Sequence, residues 1–152
     1  MELFDATTFD LKELAVLFDQ YRQFYKQPAD ISSCLNFLTE RLLKKDAVIY
    51  IVRNDECIIG FVQLYPLYSS VRLSNMWLLN DLYVIDSARR TGVARLLINR
   101  SKQLAEETNA SCIILETGKN NNEGNTLYPS ENFKLADTNF YCWINKKSTQ
   151  VQ

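Results

Sequence analysis

The chain has 152 residues, 47% of them hydrophobic and 23% charged, with a net charge of −1, which suits one ordinary globular core. The balanced charge argues against a general nucleic-acid binder, whose surface must be basic, and no apolar run approaches the roughly 18–20 residues of a membrane span. There is no histidine, which removes Ser-His-Asp and Cys-His catalysis and histidine zinc sites, and leaves proton transfer to carboxylates, tyrosine, lysine, cysteine or water.

The opening residues Met1, Glu2, Leu3, Phe4 and Asp5 lack the basic and apolar regions of a signal peptide, so a cytoplasmic location is expected. Cys34, Cys57, Cys112 and Cys142 are widely spaced without a C-x-x-C pair. They are expected to be buried reduced thiols, with neither a disulfide framework nor a metal site.

Leu3 and Phe4 suggest a short first strand. Asp10 and Glu13 have capping-box spacing, and Leu11, Leu14, Ala15, Phe18, Tyr21 and Tyr25 recur near a 3.6 period, so a helix is expected to about Tyr25, ended by Pro28. Asp30 is placed to cap a second helix with Cys34, Leu35, Leu38 and Leu42 inward. Residues 47–52 are β-branched and aromatic, a strand. A hairpin turn at 54–56 leads to a return strand over 57–65 with Pro66 at an edge or break. A less regular stretch, 68–73, precedes a long strand over 76–85. The next helix carries Val93, Leu96, Leu97, Leu104 and Ala105 on one side. Residues 112–115 are nearly all apolar, as expected of a strand covered on both faces. A polar loop, a short helix through Leu127 and Tyr128, a strand over 140–144 and a polar tail complete the chain. That order predicts one mixed α/β sheet with helices packed on it. One domain is expected over residues 1–145, with a tail over 146–152.

Between the long strand and its helix lies Asp86-Ser87-Ala88-Arg89-Arg90-Thr91-Gly92-Val93-Ala94-Arg95. A strand handing over to a helix through small residues presents free backbone N–H groups, and with the helix dipole these favour an anion such as phosphate. Gly92 and Ala94 allow close backbone approach, and Arg89, Arg90 and Arg95 add positive charge. Arg89, Gly92 and Ala94 match the [Q/R]-x-x-G-x-[G/A] loop of the GNAT N-acetyltransferases. A second stretch, residues 121–133, resembles that superfamily's N-x-x-A-x-x-L-Y-x-x-x-G-F pattern at Asn121, Leu127, Tyr128 and Phe133. Gly124 stands at the alanine and Asn132 at the glycine. The chain is similar to the family from about Leu11 to Ile144. It looks closest to the polyamine, diamine and thialysine acetyltransferases and to a histone-acetyltransferase-like subgroup.

The resemblance implies a mostly antiparallel mixed sheet splayed at a β-bulge, with helices on both faces. It implies acetyl-CoA as cosubstrate and a primary amine as acceptor. The pyrophosphate loop is then Arg89, Arg90, Thr91, Gly92, Val93, Ala94 and Arg95. Backbone groups of Leu82, Tyr83 and Val84 meet the pantetheine and thioester, and Asn121 holds pantetheine or backbone. Tyr128 is the general acid that protonates the departing thiolate. Pro129 follows it directly, and in a helix removes a hydrogen bond and bends the axis. For the base, Asp81 and Glu116 are candidates, and a water chain is an alternative. Tyr25, Tyr65, Tyr68 and Trp77 are candidates to line the amine site, since aromatic faces attract alkylammonium groups. The acceptor reading favours a small amine of polyamine, diamine or thialysine type. Protein-lysine acetylation and a non-catalytic acetyl-CoA-binding module are the rivals. A homodimer is a further expectation from the resemblance.

Overall fold

The computed structural model describes residues 1–55 and 57–148. Glu56 of the expected hairpin turn and residues 149–152 of the expected tail lie outside them. In chain order the elements are β1 (Glu2–Asp5), α1 (Leu11–Phe24), α2 (Ile31–Lys44), β2 (Val48–Arg53), β3 (Ile58–Ser69), β4 (Ser74–Val84), a 3-10 turn (Asp86–Ala88), α3 (Val93–Glu107), β5 (Ile113–Ile114) and α4 (Asn122–Ser130). They fall into two compact units, Met1–Glu116 and Thr117–Gln152.

The first unit holds the whole sheet, in the order β1-β2-β3-β4-β5. The first three pairings are antiparallel and β4–β5 is parallel. Strand alternation divides its side chains between two cores. Tyr50, Val52, Val62 and Leu64 pack with Val93, Leu97 and Leu104 of α3. Ile49, Ile51, Ile58 and Phe61 pack on the other face with Leu14, Phe18, Cys34 and Leu38 of α1 and α2. Each such side chain, fully buried, contributes about 1.5–3 kcal/mol.

Asp30 caps α2 as expected, accepting from the Ser33 amide at 3.0 Å. The capping box at α1 does not form. The Asp10 carboxylate instead takes the Thr7 amide and hydroxyl at 2.8 and 2.7 Å, and Glu13 accepts from Arg53 Nη2 at 2.7 Å and the Ile58 amide at 2.5 Å. A cation and a free strand amide thus draw Glu13 away from the helix end. Buried Asp19 fastens α1 to α2 by accepting from Gln23 Nε2 at 2.9 Å and the Asp30 amide at 2.8 Å. That clasp sets where the last turn of α1, with Tyr21 and the following Tyr25, lies against the sheet.

β3 runs through Pro66 to Ser69, farther than the sequence indicates. Pairing with β2 stops at Val48–Leu64, so Pro66 has no ladder bond to give on that side, and β4 supports it on the other through Trp77.

Three expectations fail in the later part of the chain and among its thiols. β5 is two residues long, not four, and Ile114 is 42% exposed rather than covered. Residues 140–144 form no strand, and Phe140, Tyr141 and Trp143 are exposed. Cys142, on that segment, is exposed, while Cys34 alone of the four free thiols is buried. Strand-like composition alone does not make a strand: β5 is held by β4 at two positions, and residues 140–144 stand in no ladder.

In the second unit Asn121 caps α4, its Oδ1 accepting from the Gly124 amide at 3.1 Å. Pro129 sits one residue before the end of the helix, where few turns follow it. Asn132 takes φ +65°, the left-handed geometry expected where the family pattern has glycine.

Candidate active site

The site starts from one inserted residue. In the β3–β4 ladder Gln63 pairs with Asp81, but Leu64 pairs with Leu79. Asn80 is therefore the extra residue of a bulge. Before it Trp77 and Leu79 face the α3 core; after it Leu82 and Val84 do. The bulge thus reverses the alternation and turns Asp81, with Tyr83, toward the α1–α2 face. Gln63 and Tyr65 follow Phe61 at two-residue intervals onto that same face.

There Asp81 is 4% exposed. Its Oδ2 accepts from Gln63 Nε2 at 2.7 Å, and Asn80 Nδ2 lies 3.1 and 3.0 Å from its two oxygens. Burial pushes its carboxyl above the ordinary value, against hydrogen bonds from Gln63, Asn80 and Tyr21 that pull it down. Tyr21 donates to the Asn80 carbonyl at 3.4 Å and packs edge-on with Tyr25 at 5.1 Å. Burial, then the Asp81 charge, raises the phenols of both Tyr25 and Tyr65. A buried carboxylate ringed by Tyr21, Tyr25 and Tyr65 can hold an alkylammonium and take a proton from it.

β4 pairs with β5 only at Trp77 and Leu78, so from the bulge onward its outer edge has no strand partner among the described residues. The Ile85 amide donates back to Ile59 of β3 at 3.0 Å, whereas the Val84 carbonyl accepts from Arg89 Nε at 3.2 Å on the outer side. Alternation then turns the Leu82 and Val84 amides outward and the Tyr83 amide toward β3. Of the three backbone groups expected to meet a ligand, Tyr83 is thus the exception, because a strand shows alternate amides to each side.

The loop that follows is built for an anion. Arg90 and Gly92 have φ of +62° and +94°, and no side chain caps the first turn of α3. The amides of Val93, Ala94 and Arg95 therefore point out of the helix end. Nothing lies within 4 Å of where a Cβ on Gly92 would be, leaving space beside those donors. Arg89 is tied back to Val84 and, at 2.8 Å, to Asp86; Arg90, Thr91 and Arg95 are exposed. The helix end, the glycine space and the open β4 edge fit a pyrophosphate followed by a peptide-like arm.

The other candidates divide. Tyr68 is 83% exposed on the β3–β4 arm. Trp77 is buried on the α3 face, its Nε1 donating to Thr108 Oγ1 at 2.9 Å. The bulge that turns Asp81 to one face leaves Trp77 on the other, so neither residue joins Asp81. Glu116 is exposed at the end of the first unit. In the second unit both polar ends of the Asn121 amide are engaged, Nδ2 donating to Thr117 Oγ1 at 2.9 Å, which makes it a residue that shapes the loop. Tyr128 is half-buried and packs edge-on with Phe133 at 5.9 Å. Gln63 and Tyr21 are the site residues that sequence reasoning missed. Gln63 carries a signal, a lone polar residue in an apolar strand; Tyr21 is hidden among the core positions of its helix.

Residues 11–130 match the family model of the acetyltransferase (GNAT) family, and the chain belongs to that family. It is an acetyltransferase of GNAT type, whose members use acetyl-CoA as cosubstrate. It is 38% identical over 144 residues to an uncharacterized N-acetyltransferase of Bacillus subtilis, covering 93% of this chain and 96% of that one. It is 34% identical to a probable acetyltransferase of Haemophilus influenzae, covering 89% and 91%. The crystal structure of a probable acetyltransferase superposes with a TM-score of 0.90 at 38% identity, covering 97% of this chain and all of that one. The mixed sheet bulged at β4, with helices on both faces, is the expected GNAT fold.

Proposed function

We propose that this enzyme transfers acetyl from acetyl-CoA to a small primary amine of polyamine, diamine or thialysine type. The observation that carries the reading is the buried Asp81 carboxylate, set among three tyrosines beside the open edge of β4. A compact anion with aromatic neighbours suits a free alkylammonium.

The amides of Val93, Ala94 and Arg95, with Arg90, hold the pyrophosphate at the helix end. The outward amides of Leu82 and Val84 hold the pantetheine arm and the acetyl oxygen, where negative charge grows during attack. Bound acetyl-CoA supplies the activated thioester. Asp81 takes a proton from the ammonium and leaves a nucleophilic nitrogen. As the nitrogen–carbon bond forms and the carbon–sulfur bond breaks, the Tyr128 phenol gives its proton to the leaving sulfur and regains one from the second proton that the nitrogen releases in becoming an amide. The raised basicity of Asp81 brings it nearer the working range of a base than an exposed aspartate.

The test is thiol release from acetyl-CoA with spermidine, putrescine, thialysine, amino acids, aminoglycosides and a lysine peptide. Turnover of the small amines is expected, with kcat lowered about 100-fold or more in Tyr128→Phe and in Asp81→Asn. Turnover of the peptide alone would transfer the reading to protein lysine. Acetyl-CoA binding without any turnover would leave a binding module.

A further inference from the structure

We propose that Gln63 is the positioning residue of the acceptor site: its side-chain amide clamps the Asp81 carboxylate to the Tyr65 phenol and fixes it as the anion that meets the incoming ammonium. The inference rests on the reading of Asp81 as proton acceptor given above.

Gln63 lies in mid-strand between Val62 and Leu64 and is fully buried. A polar side chain there needs a partner. Its Nε2 lies 2.7 Å from Asp81 Oδ2 and 3.0 Å from the Tyr65 hydroxyl, so both amide protons are engaged. Its Oε1 is buried with no hydrogen-bond partner among the described residues. Turning the amide over would give that oxygen the Tyr65 hydroxyl as a donor. It would also set it against the Asp81 oxygen, acceptor facing acceptor. The orientation that orphans Oε1 is the one an ionised Asp81 requires. The amide therefore accepts an unsatisfied oxygen to serve the carboxylate.

The placement in the ladder agrees. Gln63–Asp81 is the last pair in register before the shift at Leu64–Leu79, so the hydrogen bond pins the bulge at the residue whose facing the bulge decides. Being fully buried, Gln63 acts through Asp81 rather than by touching substrate. The titratable groups facing Asp81 are Tyr21 from α1, Tyr25 just after that helix and Tyr65 from β3, with Asn80 beside it; Arg41 and Asp46 act on Tyr65. The groups that hydrogen-bond the carboxylate are the Gln63 and Asn80 amides and the Tyr21 hydroxyl, none of them a cation.

The experiment follows the Asp81 carboxyl by 13C NMR titration in the full chain, assigned with Asp81→Asn, for wild type, Gln63→Met and Gln63→Glu. Melting curves check the fold, and kcat/KM is measured against pH with the best amine. In Gln63→Met the Asp81 midpoint is expected to rise by about one pH unit, a tenfold change in proton affinity. In Gln63→Glu it should rise further, because two carboxylates then share the site. The acid limb of kcat/KM should move with it, with activity recovering at high pH. An unmoved Asp81 titration in a folded variant overturns the proposal. Should Gln63→Met not fold, the isosteric Gln63→Glu carries the same decision. A titration that moves while the acid limb stays in place keeps the clamp and instead removes Asp81 as the base.

Discussion

Asp81 shows how a single residue's surroundings can set both chemistry and stability. Its carboxyl is raised by burial, so the folded state holds that proton more tightly than the unfolded chain does. The stability this contributes is fully present below the unfolded value and is lost as pH rises through the folded one. Asp81→Asn carries no charge to bury. It should melt above wild type at pH 8 while losing activity, and the gap should close on acidification toward the ordinary carboxyl range. A melting point below wild type at pH 8 would show that the three donors outweigh the burial. Trp77 offers the contrast. Trp77→Phe removes its bond to Thr108 and should cost about 0.5–1.5 kcal/mol in denaturant unfolding, with the KM for amine unchanged.

At the scale of elements, the start of α3 depends on two glycines for different reasons. Gly92 has φ +94° and open space around it, so Gly92→Ala introduces strain without a clash, about 1–2 kcal/mol. Gly60 has an ordinary backbone, but a Cβ there would lie 2.8 Å from Val93 Cγ1 and 3.0 Å from the Tyr83 carbonyl. Gly60→Ala should therefore cost about 1–3 kcal/mol by overpacking. It should also weaken acetyl-CoA binding, because Val93 opens α3. Calorimetric titration with acetyl-CoA beside a melting curve separates the two effects. Equal affinity in a destabilised Gly60→Ala would show that the helix end does not follow its first residue.

For the whole molecule, the ligand is itself part of the stability. Acetyl-CoA at 100 times its Kd should stabilise the fold by about 2.7 kcal/mol, a rise in Tm of about 5–10 °C for a chain of this size. With Asp81 in the role proposed for it, Asp81→Asn should keep the full rise; Gly92→Ala should show less of it at the same concentration. The first unit contains both Asp81 and the loop before α3, so these two responses can be told apart within one sheet and its helices.

Local patterns along the chain were enough to determine the helices, the β2–β3–β4 meander, the strand-to-helix loop before α3 and, with the second motif, the family. Each of these rests on neighbours a few residues apart: a 3.6 or two-residue period, a cap, a glycine at a turn. Asp81 was legible as a candidate for the same reason, by its place next to a family motif. What only the tertiary structure decided depends on partners far apart in the chain. The insertion of Asn80 is visible only when β4 is laid against β3. That one-residue shift decides that Asp81 joins Tyr21, Tyr25 and Tyr65 while Trp77 goes into the α3 core. Glu13 abandoned its cap because Arg53 and Ile58 came within reach. Residues 140–144 have the composition of a strand but stand in no ladder. Composition proposes an element, but register and partner, set by which backbone edges remain open, decide what its side chains face.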